Sequence, residues 1–97
     1  MNREIQFRYT KSADKFFRLH EDVKAEFIRA FRELLIGEHP ESVDYKRLKG
    51  QFRRYYRIRL GEYRVVFTYI NGQIVIVEVI LAGSRGDIYK KLKGYAG

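Results

Sequence analysis

Cysteine is absent from this 97-residue chain, which removes disulfides, thiol chemistry and zinc–cysteine sites and agrees with a cytoplasmic setting. Proline occurs once, at Pro40, and the only histidines, His20 and His39, stand far apart near expected helix boundaries. Surface or capping roles suit them better than metal binding or base catalysis. No Walker-type loop, GxGxxG fingerprint or metal-ligand spacing is present, so no cofactor and no metal is expected. No run approaches the roughly 18 to 20 apolar residues of a membrane span. Met1-Asn2-Arg3-Glu4 carries no apolar signal segment, and a soluble protein without a membrane partner is expected. Acidic residues are the minority, 12 against 20 Lys plus Arg, for a net charge of +8. That excess favours nucleic acid, an anionic membrane surface or an acidic protein partner, and charge alone does not choose among them.

What is present reads as one domain over residues 1–97, with no internal repeat and no linker. Glu4 to Tyr9 alternates with period two and predicts a strand. Ser12 is placed to cap a helix from about Ala13 that carries Phe16, Phe17 and Leu19. Val23, Phe27, Ala30, Phe31, Leu34 and Leu35 form the stripe of a second helix, ending where Gly37 can adopt a left-handed conformation. The two helices are expected as a hairpin over a sheet. His39-Pro40 breaks the pattern, and 41–54 reads as a polar, irregular connection. Strands follow at about 55–60, 63–70 and 73–81, the last two joined by a type I′ turn at Asn71-Gly72. A short helix is expected at about 87–93, with 94–97 frayed. The fold class is therefore α+β: an N-terminal strand, a two-helix hairpin on an antiparallel sheet, and a C-terminal helix.

The turn at Gly61-Glu62 concentrates charge. With Gly61 supplying the positive φ of a type II′ hairpin, Leu60 pairs with Tyr63 and Arg59 falls opposite Arg64. Arg57 shares their face, because side chains alternate along a strand. Like charges placed opposite one another oppose stability by roughly 0.2 to 1 kcal/mol. A fold gains nothing from this, whereas a polyanion ligand would. The Asn71-Gly72 register places Arg64 opposite Val79. It sets Ile74, Ile76 and Ile80 on the helix-facing side, with Glu78 there as an ion-pair member, and Val75, Val77 and Val79 on the other. A loop from Gly83 to Tyr89 would then bring Arg85 and the Tyr89 phenol to the arginines. Taken alone, Tyr89 reads as core packing.

Four guanidiniums and a phenol suit phosphodiester binding and cleavage. Guanidinium forks grip non-bridging oxygens and stabilise a pentacoordinate transition state without changing protonation. A tyrosine can relay a proton or stack on an unpaired base. RNA brings its own nucleophile, the 2′-hydroxyl, so the protein needs neither metal nor serine nor cysteine. The basic stretch Lys46, Arg47, Lys49, Arg53 and Arg54 reads either as added phosphate-binding surface or as a solvated connection. Arg29 and Arg32 read as solvated helix residues.

Lys46-Arg47-Leu48-Lys49-Gly50, the run Tyr56 to Phe67, and Ala82 to Lys90 together resemble the RelE/ParE toxin superfamily of toxin-antitoxin systems, on the RelE side. The likeness follows nearly the whole chain in order and spacing. It implies an mRNA interferase, an endoribonuclease that enters the ribosomal A site and cuts the displayed codon. It implies as partners the ribosome, mRNA and a cognate antitoxin, and a toxin-antitoxin complex that binds operator DNA through the antitoxin. Carried over by position, Arg57 and Arg59 hold the scissile phosphate and assist proton transfer. Arg64 binds phosphate, Arg85 is the arginine after the last strand, and Tyr89 stacks on or orients the base. Two departures stand out: Ser84 lies where many relatives have histidine, and arginines at 57 and 59 are poor general bases because their pKa exceeds about 12. The rivals are a ParE-like gyrase inhibitor, which needs no arginine cluster, and an inactive basic RNA-binding member.

Overall fold

Thr10 begins the helical layer in this computed structural model, which describes residues 4–96. Its Oγ1 accepts from the Ala13 N–H at 3.2 Å and donates to the Ile80 carbonyl at 2.6 Å. One hydroxyl thus caps a helix and ties it to a strand far along the chain. Thr10, not Ser12, is therefore the N-cap, and α1 runs over Lys11–Leu19. His20 alone separates it from α2, Glu21–Ile36. Ala13 and Phe17 of α1 and Val23, Phe27 and Phe31 of α2 are buried, at helical spacing, while Leu19 is exposed rather than in the core.

Gly37 ends α2 in an extended conformation (φ −81°, ψ 176°), not the left-handed one expected. Its lack of a Cβ serves another purpose: the Glu33 side chain folds across the space a Cβ would fill. From there the Glu33 carboxylate accepts the His39 N–H at 2.8 Å.

Five strands make one sheet: β1 Glu4–Tyr9, β2 Tyr45–Arg47, β3 Tyr56–Leu60, β4 Tyr63–Asn71 and β5 Ile74–Ser84, in spatial order β1-β5-β4-β3-β2. The α+β architecture is as expected, but the sheet is mixed, because β1 runs parallel to β5. The stretch 41–54 is not wholly irregular. It supplies β2, an edge strand whose Tyr45, Lys46 and Arg47 pair with Ile58, Arg57 and Tyr56.

Gly61 has φ 63° and Glu62 has no positive φ, as a type II′ turn requires. Leu60 pairs with Tyr63 and Arg59 with Arg64. The second turn differs from expectation. Neither Asn71 nor Gly72 has positive φ, which excludes a type I′ turn. Asn71 instead pairs with Val75 and Ile70 with Ile76 across a longer loop.

A register shift between Val66 and Phe67 then moves the pairing once more, so that Phe67 faces Val79 and Val66 faces Leu81. The consequence for β5 is an inversion. Val75, Val77, Val79 and Ala82 join Phe17, Phe27, Phe31, Ile58, Val65 and Phe67 in the core beneath α1 and α2. Ile80 and Leu81 lie on the opposite face, because the bulge turns two successive residues the same way. Alternation puts Glu78 on that opposite face as well, exposed, and not among the helix-facing residues.

That opposite face has its own small core. α3, Arg85–Ala96, begins directly at the end of β5 and packs Ile88 and Leu92 on Val66, Ile80 and Leu81. Leu48, Phe52 and Tyr55, from the segment around the 3₁₀ turn Gly50–Phe52, close its side. The C-terminal helix is longer than expected and includes residues 94–96, assigned above to a frayed end; Gly97 lies outside the described residues. Among the described residues no helix is long and apolar enough to cross a membrane.

Candidate functional site

The strand registers write the site as two rows across the sheet. In the first, Arg59 stands opposite Arg64 and Arg64 opposite Gly83. Asp44 completes this row on the other side, its carbonyl accepting the Arg59 N–H at 2.9 Å in continuation of the β2–β3 ladder. In the second row, Lys46 faces Arg57, Arg57 faces Val66 and Val66 faces Leu81. α3 covers the apolar end of the second row, and the cations fill the remainder.

Among the described residues Arg64 is the only buried charged one, at 7% exposure. Its Nη1 donates to the Gly61 carbonyl at 3.0 Å and the Tyr63 carbonyl at 3.2 Å, so the hairpin turn itself holds the guanidinium. Burial lowers its pKa from the ordinary arginine value, and Arg59, Arg57 and Arg85 push it the same way while Tyr89 opposes them. All four expected neighbours thus act on Arg64, and the group stays cationic at neutral pH. Arg64 lies opposite Gly83, not Val79 as the two-residue turn implied. This brings it nearer the end of β5, and so nearer Arg85.

Arg57 is 17% exposed and Arg59 53%, so the cluster grades from a fixed base to a solvated rim. Asp44 touches both: Oδ1 lies 3.2 Å from Arg57 Nη1, and Oδ2 lies 3.9 Å from Arg59 Nη1. Sequence reasoning passed over Asp44. The signal was available only through β2, whose register extends one residue toward the N-terminus onto Asp44.

Arg85 and Tyr89 come from α3 rather than from a loop. The Arg85 N–H donates to the Glu62 carbonyl at 3.1 Å, which ties the first turn of α3 to the β3–β4 hairpin. Ser84 accepts the Asp87 N–H on its Oγ at 3.4 Å, the position of an N-cap hydroxyl. Its role here is to start the helix that carries Arg85. Tyr89 is 46% exposed and available for stacking, not packed in the core. Where a Gly83 side chain would point, the Lys91 ammonium of α3 lies 3.5 Å from the Cβ position, a cation near the end of β5 that the sequence did not single out.

The basic stretch divides. Lys46, opposite Arg57, lies on the arginine face. Arg47 turns to the other face, over the Tyr56 ring at 5.9 Å, and its Nε donates to the Arg53 carbonyl at 2.6 Å. Lys49, Arg53 and Arg54 are exposed around the Gly50–Phe52 turn, whose apolar residues brace α3.

His20 stacks on Phe16 at 4.2 Å and His39 lies 3.3 Å from Glu41, both away from the arginines. Among the described residues no group of three or more metal-ligating side chains occurs. An open groove of about 470 Å³ lies beside the cluster, lined by residues that include Arg29, Glu33, Val43, Asp44 and Arg59. It shares Asp44 and Arg59 with the arginine face but not Arg64, Arg85 or Tyr89, so the groove flanks the cluster rather than containing it.

Comparison with known proteins agrees with this fold. A family model described as the ParE toxin of type II toxin-antitoxin system, parDE, matches residues 4–86, from β1 to the first turn of α3. Among solved structures, a YoeB/ParE toxin from Agrobacterium tumefaciens is similar at 20% identity and a TM-score of 0.57, over 82% of this chain and 98% of that one. The RelB-RelE antitoxin-toxin complex from Methanococcus jannaschii matches at 22% identity and 0.56, over 87% and 96%. YafQ from E. coli matches at 13% and 0.60, over 91% and 99%. At such identities the likeness is one of fold. No curated protein sequence matches the chain. With the family model spanning nearly the whole chain, the protein belongs to the ParE toxin family of type II toxin-antitoxin systems, within the RelE/ParE superfamily.

Proposed function

We propose that this toxin is an endoribonuclease that cuts translated mRNA in the ribosomal A site and is neutralised by a cognate antitoxin. The observation that carries the reading is the Arg59–Arg64 pair, like charges placed opposite one another on the sheet face that α3 only partly covers. Such an arrangement opposes folding and suits a phosphate.

In the proposed reaction the 2′-oxygen attacks the adjacent phosphorus. The O2′–P bond forms and the P–O5′ bond breaks, leaving a 2′,3′-cyclic phosphate and a 5′-hydroxyl. Arg57 and Arg59 hold the non-bridging oxygens, and Arg64 and Arg85 stabilise the charge that accumulates on them. Tyr89 stacks on the displayed base. Arginines do not accept the 2′-hydroxyl proton at neutral pH, so it passes to water or to a group of the ribosome, and O5′ is reprotonated from the same medium. Lys46 lies beyond Arg57, placed to take a neighbouring phosphate, with Lys49, Arg53 and Arg54 as a diffuse electrostatic margin. Arg47 is turned away from that role.

The antitoxin reading rests on family membership, and on the RelB-RelE assembly as a relative of the same fold. In that reading the complex reaches operator DNA through the antitoxin. A gyrase-inhibiting toxin is the second reading, favoured by the ParE description of the matching family. The two part on a single experiment: induce the chain and Arg64→Ala without antitoxin, follow growth, and map new mRNA 5′ ends. Growth arrest with cuts inside translated codons, lost in the variant, is expected. Arrest without such cuts, accompanied by stalled gyrase on DNA, would replace the nuclease by the gyrase poison.

A further inference from the structure

Among the described residues, Asp44 is the one carboxylate paired with the arginines of the site, and its geometry is that of a ligand. One oxygen lies 3.2 Å from Arg57 and the other 3.9 Å from Arg59. Two oxygens of one anion, each offered to a different guanidinium, reproduce what two non-bridging oxygens of a phosphodiester would offer. The backbone leaves this residue little choice of place. The Asp44 carbonyl is bound to the Arg59 N–H, which sets the side chain directly across from Arg59 on the arginine face.

We propose that Asp44 is an internal anion occupying the phosphate seat between Arg57 and Arg59, an affinity-determining residue that substrate phosphate must displace. The proposal rests on the phosphate-binding reading of the arginine face. It explains what offsets the charge of Arg57, mostly buried beside a crowd of cations, before any substrate arrives. The Asp44 side chain is half-exposed, so it can swing outward when a phosphate enters. The adjoining groove, which Asp44 itself lines, gives it somewhere to go.

An internal competitor has a signature opposite to that of a structural brace. A brace, once removed, disorders the arginines and weakens anion binding. A competitor, once removed, leaves one more uncompensated cation and strengthens it. The test uses the full chain with Asp44→Asn and Asp44→Glu, each checked by thermal melting. Binding is measured against salt with two probes: a 2′-O-methyl single-stranded RNA that cannot be cleaved, and pyrophosphate. Asp44→Asn is expected to bind both about two- to fivefold tighter at low salt. The slope of log affinity against log salt for the RNA should steepen by about 0.7, the increment for one more neutralised phosphate on a single strand. Asp44→Glu should restore wild-type values. Unchanged or weaker binding of both probes by Asp44→Asn would overturn the proposal. Tighter pyrophosphate binding with no RNA binding by either protein would uphold Asp44 as the internal anion and remove RNA as the ligand.

Discussion

The two faces of this sheet use the same strands for opposite ends. Under α1 and α2, Phe7, Phe27, Phe31, Phe67 and Tyr69 meet edge to face at centroid distances of 5.5 to 6.1 Å, and no charged side chain belongs to that cluster. On the reverse, α3 covers only the apolar patch of Val66, Ile80 and Leu81. Beside it, Arg57, Arg59 and Arg64 stand together, graded from buried Arg64 to exposed Arg59. The first face lowers free energy by removing apolar surface from water. The second gathers like charges that would be more stable apart. A sheet one residue deep can thus hold an apolar face and a cationic one back to back, through alternation and a single bulge. Substitutions on the two faces should accordingly fail in different ways.

The largest effect is expected on the aromatic face. Phe67→Ala removes a fully buried ring and should cost about 3 to 5 kcal/mol. Thermal melting would show it, with toxicity lost only because the protein is unfolded. Arg64→Ala should reverse that pattern. Cleavage falls about 10²- to 10³-fold, as for removal of one preorganised charge donor, while the melting temperature changes little. If the variant instead melts far below wild type, the division between the faces breaks down.

Gly61→Ala couples the two. Its φ of 63° disfavours a side chain by about 1 to 2 kcal/mol. Because the Gly61 carbonyl anchors Arg64, cleavage should fall further than that stability loss alone accounts for. Activity measured well below the melting transition checks this.

Lys46→Ala and Arg47→Ala sharpen the comparison within a single strand. The former should lower the salt slope for RNA by about 0.7, and the latter should leave it unchanged, since adjacent residues face opposite ways.

The smallest effect concerns Tyr45, whose phenol is pushed up to about 12, chiefly by burial and then by Tyr69 and Tyr56. A raised folded-state value means that the unfolded chain loses this proton first. Stability is therefore complete below about pH 10 and declines as pH rises toward 12. Because the ring is only partly buried at the sheet edge, the loss should be under about 1 kcal/mol. Tyr45→Phe should flatten that alkaline limb in urea titrations at pH 9 to 11.5.

These contrasts also explain what was legible in the sequence. The Gly61-Glu62 hairpin was legible because a single glycine must supply a positive φ, and that fixes the Arg59–Arg64 pairing. Asn71-Gly72 offered the same kind of signal, but the chain spans a longer loop there, and a bulge follows at Val66/Phe67. Bulges leave no mark on periodicity where a strand is apolar on both faces, as β5 is from Val79 to Ala82. The face assignment of β5 was lost for that reason. β2 was hidden because three residues of an edge strand do not establish alternation, and Asp44 was hidden with it. The arginines were readable from chemistry, since their arrangement opposes local stability. Lys91 comes to Gly83 at the end of β5 only through the docking of α3, a tertiary fact.

The most direct test of the account is cleavage by purified ribosomes programmed with a defined mRNA, comparing wild type, Arg64→Ala and Arg64→Lys, with 5′ ends read by primer extension. The account predicts a cut within the A-site codon by wild type, and loss of the cut in Arg64→Ala without loss of the fold. Arg64→Lys should remain impaired, because an ammonium keeps the charge but not the fork that reaches both turn carbonyls and phosphate. Undiminished cutting by folded Arg64→Ala would contradict it, as would no ribosome-dependent cut by a wild-type protein that still arrests growth.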